Sequence, residues 1–151
     1  LGLSITACAQ SFELFFEKEG YECSMTSFKN SFKIEVNKAK KNNFYSIQII
    51  SRDIASIKDT GEYILKFKAN TSNEFTMYFR FGTEDVNSLQ YFKDKPSALL
   101  AGQSEFSFPF SVKNIIQKAV LYFQFGYAGA GTILEISDIE IVLKNEISEK
   151  R

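Results

Sequence analysis

From residue 10 onward, apolar and polar side chains alternate with a period of two rather than at helical spacing, which is the pattern of half-buried strands. Phe32-Lys33-Ile34-Glu35-Val36 switches cleanly between apolar and charged. Asn43 to Ile50 (NFYSIQII) gathers aromatic and β-branched residues, which suit a pleated surface. After a turn signal at Thr60-Gly61, Tyr63, Leu65, Phe67 and Ala69 share one face of a strand, and Asn70-Thr71-Ser72-Asn73 supplies the next turn. Phe75 to Gly82 carries large apolar residues at every odd position. Residues 83–104 are polar and contain Pro96, so a long irregular connection is expected there. Phe106, Phe108 and Phe110 then alternate with Ser107, Pro109 and Ser111. Proline cannot donate to a ladder, which places this strand at an edge or a bulge.

The last third repeats the theme. Val120 to Gly126 turns Leu121, Phe123 and Phe125 to one side and Tyr122 and Gln124 to the other. Tyr127 to Gly131 is a loop of mostly small residues, and Thr132 to Leu143 (TILEISDIEIVL) is the closing strand. The loop's glycines are followed by neither a lysine nor a helix start, so they do not form a phosphate cradle. Asn114 to Ala119 has room for one helical turn, and nothing long enough for a stable helix is present. Roughly eight to ten short strands, spaced at about 10–15 residues, predict an all-β fold, a two-sheet β-sandwich of the jelly-roll kind. Its core is expected to hold Phe75, Phe79, Phe81, Phe106, Phe108, Phe110, Phe123 and Phe125.

Composition narrows the function. The 151 residues amount to one domain, and a chain of this size hides about 68–70% of its unfolded surface without staples or metals. The 18 basic and 18 acidic residues cancel, which argues against a general basic field for nucleic acid or an anionic membrane surface. Histidine is absent, excluding Ser-His-Asp and Cys-His catalysis and histidine-ligated zinc or haem. Two cysteines alone cannot build a structural zinc site or an iron–sulfur cluster. No apolar run approaches the length of about 18 residues that a membrane-spanning helix needs. A glycosidase would need two carboxylates about 5–9.5 Å apart, and no paired-acid motif stands out. The default is a noncatalytic binding domain.

The amino terminus is set apart from the fold. The chain opens on Leu1, so its true start is expected to lie upstream, and Leu1 to Cys8 (LGLSITAC) reads as the tail of an export signal: an apolar run, small residues, then a cysteine. Ile5-Thr6-Ala7-Cys8 resembles the bacterial lipobox, whose cysteine thiol takes a diacylglycerol, so Cys8 is the candidate lipidation site. Cleavage after Ala7 or Ala9 and a first strand beginning here are the rival readings. A Cys8–Cys23 disulfide is the structural alternative to lipidation. The organisation expected is therefore a signal remnant or lipoprotein terminus at 1–9, a sandwich at 10–143, and a charged linker or tail at 144–151. The protein is expected to be exported, and to be extracellular, periplasmic or lipid-anchored at the cell surface.

Several strands in order resemble a known family. Asn43-Phe44-Tyr45-Ser46-Ile47-Gln48-Ile49 is similar to the "n-W-x-x-Q-l" strand of bacterial carbohydrate-binding modules of the family four, nine and twenty-two type (CenC-like domains with a galactose-binding-domain-like jelly roll). Gly61 to Ala69 looks like their "G-x-x-Y-x-L-x-F-x-A" strand, Leu121 to Gly126 like "l-x-F-q-l-G", and Ile136 to Ile141 like the closing "i-x-i-D-n-V-x-l". Phe12-Glu13 resembles the opening "g-d-F-E". Phe44 stands where the family usually carries tryptophan, of which this chain has none. The resemblance implies a jelly roll whose concave sheet holds a polysaccharide or oligosaccharide, commonly a β-glucan or xylan, often beside a glycoside hydrolase. It also implies a structural calcium ion where the first and last strands meet, with Glu13 and Asp138 at the matching positions.

The exposed sides of the strands suit a sugar. Pyranose C–H faces pack on aromatic rings, and hydroxyls need donors and acceptors together. Opposite the phenylalanine face lie Tyr78 and Arg80 on one strand and Tyr122 and Gln124 on another, while Phe44, Ser46 and Gln48 share a face of a third. Gln48 and Gln124 both donate and accept, Arg80 offers a rigid donor fork, and Tyr127 stands ready at the rim. The carbohydrate-binding candidates are therefore Phe44, Gln48, Tyr78, Arg80, Tyr122, Gln124 and Tyr127. The same residue types also make an ordinary solvated strand face. The alternative function is a structural or adhesive cell-surface sandwich without sugar binding.

Overall fold

The computed structural model describes residues 12–52 and 57–144. Cys8, the segment 1–9 and nearly all of the tail 144–151 lie outside the described residues. Ten strands are described: β1 (Phe12–Phe16), β2 (Glu22–Phe28), β3 (Ser31–Lys38), β4 (Ile47–Ser51), β5 (Gly61–Thr71), β6 (Phe75–Gly82), β7 (Gln90–Leu99), β8 (Gly102–Val112), β9 (Val120–Gln124) and β10 (Ile133–Leu143). They form two five-stranded sheets, ordered β1-β4-β9-β6-β7 and β2-β3-β10-β5-β8. Every pairing is antiparallel. The expected all-β sandwich is what the chain forms.

Alternation sets which face is inward. Phe32, Ile34 and Val36 on β3, Leu65 and Phe67 on β5, Met77, Phe79 and Phe81 on β6, and Leu121 and Phe123 on β9 are all buried between the sheets. Their rings interlock edge to face: Phe32 meets Phe123 at 5.4 Å between centroids, and Phe67 meets Phe123 at 5.9 Å. Each such burial contributes roughly 1.5–3 kcal/mol from transfer alone. Phe75, Phe106 and Phe108 pack against this core but stay partly exposed. Phe106 and Phe108 do so because β8 is an edge strand, covered by a neighbour on one side only.

Three local expectations change. The stretch 83–104 is not one irregular connection, because β7 runs through Gln90–Leu99 as an edge strand carrying Pro96, and β8 begins at Gly102. An edge strand tolerates the proline and needs few apolar positions, so its pattern is faint. Asn43 to Ser46 is not extended throughout, since Phe44–Ser46 is one turn of 3-10 helix leading into β4. Residues 114–119 form turns, with no helix. β2 has no clear alternation and is held by its hairpin with β3, where Asn30 takes a positive φ of 59°.

Cys23 on β2 is a free, buried thiol; the alternative pairing with Cys8 falls on a residue outside the described residues. Burial, with some repulsion from Glu22, pushes its pKa up to about 11. On the outer face of the second sheet, Lys33, Glu35, Lys66, Lys68, Glu135 and Glu140 are exposed and mixed in sign, as on a solvated surface.

Candidate functional site

The outer face of the first sheet differs in kind. Strand register aligns Phe15, Gln48, Gln124, Tyr78 and Pro96 in one row across all five strands. At a strand spacing of about 4.8 Å the row is roughly 19 Å long. A second row runs beside it, two residues along each strand: Glu13, Ile50, Tyr122 and Arg80.

Over the first row sits an aromatic cluster. Phe44 stacks on Tyr78 with centroids 4.3 Å apart and planes at 25°. Tyr127 stands edge-on to both, 6.5 Å from Phe44 and 6.0 Å from Tyr78. Tyr45 meets Phe44 edge-on at 5.4 Å and remains 49% exposed. Local backbone contacts put Phe44 there. The Gly126 N–H donates to the Phe44 carbonyl at 2.7 Å, and a Cβ on residue 126 would overlap the Asn43 carbonyl. Only glycine after β9 lets the 3-10 turn lie this close to the sheet.

Beneath the rings the two glutamines meet. Gln124 Nε2 donates to Gln48 Oε1 at 3.1 Å, while the buried Gln124 Oε1 has no partner. An unpaired buried acceptor is costly.

The second row is closed by the protein itself. Arg80 is 6% exposed, and its guanidinium lies 3.7 Å from the Tyr122 ring centroid. Its NH1 donates to the Thr83 carbonyl at 2.9 Å and to Gln90 Oε1 at 3.2 Å, and its NH2 to the Glu84 carbonyl at 3.4 Å. The fork expected to meet sugar hydroxyls is thus engaged by the β6–β7 turn. Tyr122 likewise faces outward but is 4% exposed, with its hydroxyl donating to the Glu84 carbonyl at 3.5 Å. Arg52 joins Glu13 at 3.0 Å and Glu84 at 2.9 Å. Those bonds hold the Glu84 carboxyl below its usual range.

Of the sequence candidates, Phe44, Gln48, Tyr78, Gln124 and Tyr127 come together, while Tyr122 and Arg80 lie under the adjoining cover. Pattern reading missed Phe15 and Tyr45, each 49% exposed. Phe15 is legible only through register, since its strand is five residues long and isolated in sequence.

The calcium pair does not assemble. Glu13 sits on the outer face of the first sheet, paired with Arg52, whereas Asp138 sits at a bulge of β10 in the second sheet, 3.2 Å from Lys68. Lys68 alternates with the inward Phe67 and Ala69, so the two carboxylates belong to opposite outer faces. Sheets pack about 10 Å apart, too far for one ion's oxygen shell at about 2.3–2.6 Å. Among the described residues no group of three or more acidic, cysteine or histidine side chains is placed to hold a metal. These residues do not fit a shared calcium ion.

The antiparallel two-sheet sandwich is a fold seen in other solved structures. A CBM4 structure superposes with a TM-score of 0.67 at 12% identity, covering 88% of this chain and 86% of that one. The N-terminal cellulose-binding domain of Cellulomonas fimi β-1,4-glucanase C gives 0.62 at 14% identity, covering 88% of each chain. The CBM1 module of BiXyn10A in its apo form gives 0.63 at 21% identity, covering 92% and 94%. The chain therefore has the fold of a CBM4-like domain. No family model matches its sequence, and no curated protein sequence does.

Proposed function

We propose that this domain binds an uncharged polysaccharide or oligosaccharide, of the β-glucan or xylan class, without catalysing its cleavage. The observation that carries the reading is the Phe44–Tyr78–Tyr127 cluster above the Gln48–Gln124 pair. Rings offer a surface for pyranose C–H faces, and the amides supply a donor and an acceptor to hydroxyls. The fold shared with a cellulose-binding domain and other carbohydrate-binding modules supports it. So does the contrast with the charged outer face of the second sheet.

Phe44, Tyr78, Tyr127, Tyr45 and Phe15 act as platforms in this reading, Gln48 and Gln124 as the polar contacts, and Arg80 and Tyr122 as supports. Sugar hydroxyls exchange water for protein at little net gain, so the free energy is set at about 4–8 kcal/mol, a millimolar to micromolar Kd. The role is tethering: a module that holds polymer beside a glycoside hydrolase raises effective concentration without chemistry of its own. An exported location, with Cys8 as lipid anchor, belongs to the same proposal.

Affinity electrophoresis through gels containing xylan, mixed-linkage glucan, mannan or soluble cellulose tests it. Retardation by at least one polymer is expected. A folded sample retarded by none would favour the structural or adhesive sandwich.

A further inference from the structure

The two sheets end in four edge strands, β1 and β7 in the first and β2 and β8 in the second. An open edge is a row of unpaired N–H and C=O groups that another strand can join, and proteins blunt it with short strands, charges, proline or bulges. Three of the four are blunted in this way. β1 is five residues long and carries Glu13. β7 presents Lys93, Asp94, Lys95 and Pro96, with Asp94 at φ 55°. β8 carries Glu105 and, in mid-strand, Pro109. On β2 the one charge and the one irregularity of register are both at Glu22, the first position. From Cys23 to Phe28 it holds no charge, proline or glycine, and Ser24, Thr26, Ser27 and Phe28 are exposed.

The ladder shows which backbone groups of β2 turn outward. Val36 N–H donates to the Thr132 carbonyl, and the Val36 carbonyl accepts from Gly131 N–H. On β3, then, Val36, Ile34 and Phe32 face β10, while Glu35, Lys33 and Ser31 face β2, opposite Ser24, Thr26 and Phe28. Cys23, Met25 and Ser27 therefore direct their N–H and C=O groups away from the sheet. An antiparallel copy of β2 centred on Met25 meets those groups in phase. Met25 faces its own copy, Cys23 faces Ser27, and Ser24 faces Thr26. The outer-face rows then match in charge. Lys33 lies beside Thr26 and Glu35 beside Ser24, so a row crossing the junction reads Lys33, Thr26, then Ser24 and Glu35 of the second copy. Opposite charges flank each junction, and the small hydroxyl side chains that meet between them make a favourable cross-strand pair.

We propose that β2 pairs antiparallel with β2 of a second copy of this chain, joining the two second sheets into one and setting two carbohydrate platforms side by side. Directly paired residues share a face of the sheet, so the twofold axis stands perpendicular to it. Both first sheets then lie on the same side of the joined sheet, and their outer faces open in the same direction. β1 and β2 pack together at one side of the sandwich, so the Phe15 ends of the two binding rows are neighbours across the junction. A polymer held by one platform engages the other as an intramolecular step. That avidity rests on the carbohydrate-binding reading above; the strand pairing does not. A single strand buries little area, so the dimer is of the transient kind. It forms at high protein concentration or on a polymer that gathers both copies.

The test uses the full chain in two arms. In the first, sedimentation equilibrium from about 10 μM to about 1 mM is expected to show wild type passing from monomer toward dimer. Ser27→Pro removes an outward N–H without touching the β3 ladder, and is expected to weaken association about tenfold or more. Ser24→Lys suits Glu35 of its own chain but enters the row of the second copy's Lys33, and is expected to weaken association about threefold to tenfold. Adding Thr26→Glu, which suits Lys33 and faces the new lysine, is expected to restore association to within about threefold of wild type. Circular dichroism checks that each variant is folded. A wild type that stays monomeric, or a dimer indifferent to all of these variants, overturns the pairing. In the second arm, wild type loaded as dimer is expected to leave immobilised xylan or mixed-linkage glucan about tenfold or more slowly than Ser27→Pro, with equal affinity for soluble trioses. Equal dissociation from polymer, with the dimer intact, overturns the paired platforms. Absence of any sugar binding defeats the carbohydrate reading, while sedimentation still decides the strand pairing.

Discussion

Tyr78 and Tyr122 are both tyrosines on the outer side of one sheet, yet their surroundings assign them different work. Tyr78 is half-buried and stacked on Phe44, with its cluster open to solvent at Tyr45. Tyr122 is sealed under Arg80 and the Glu84 carbonyl. Tyr78→Ala is expected to weaken oligosaccharide binding about tenfold, the equivalent of about 1.4 kcal/mol, with a small change in melting temperature. Tyr122→Ala is expected to act chiefly on stability, at about 3 kcal/mol or more, because it empties a packed site and strips the Arg80 guanidinium of its ring. Titration calorimetry and urea unfolding on both variants check the assignment, and equal effects on binding would refute it. The sequence showed that both rings share the outward side, since alternation decides direction. Depth was not legible, because what covers Tyr122 arrives from Thr83 and Glu84, in a turn whose position alternation does not set.

Legibility also varied among the elements. β5, β6 and β9 are central strands buried on their inner side, and strict alternation announces them. β7 lies at an edge, with Lys93, Asp94, Lys95 and Pro96 all exposed, so its hydrophobic signal is nearly absent. β2 is likewise an edge strand and depends on a tight hairpin to β3, with Phe28 opposite Ser31 and Asn30 at φ 59°. Asparagine visits that left-handed region more readily than β-branched residues do. Asn30→Gly is expected to keep stability within about 1 kcal/mol, whereas Asn30→Val is expected to cost about 1–2 kcal/mol or more. Thermal and urea unfolding of the pair measures this. A valine variant as stable as the glycine variant would mean the turn has another conformation.

At the scale of the whole molecule, the sandwich presents two outer faces of opposite character. One gathers phenylalanine, tyrosine and glutamine in register. The other carries Lys33, Glu35, Lys66, Lys68, Glu135 and Glu140 in mixed sign, so their charges cancel locally as they do over the full chain. A ligand that binds the folded state alone must stabilise it by mass action, and at ten times Kd the gain is about 1.4 kcal/mol. For a chain of this length that corresponds to a rise of roughly 3–6 °C in melting temperature. Wild type with a retained oligosaccharide is expected to show that rise. A Lys66→Ala, Glu140→Ala variant is expected to keep it, because those side chains lie on the far face. Gln124→Leu is expected to lose most of it, since leucine fills the volume but removes the amide and its bond to Gln48 beneath the rings. A shift that survives Gln124→Leu and vanishes in the far-face variant would place the ligand on the second sheet. Register, rather than residue type, makes the prediction this sharp: glutamines 48 and 124 are distant in sequence, and only the β4–β9 pairing turns them into one polar contact.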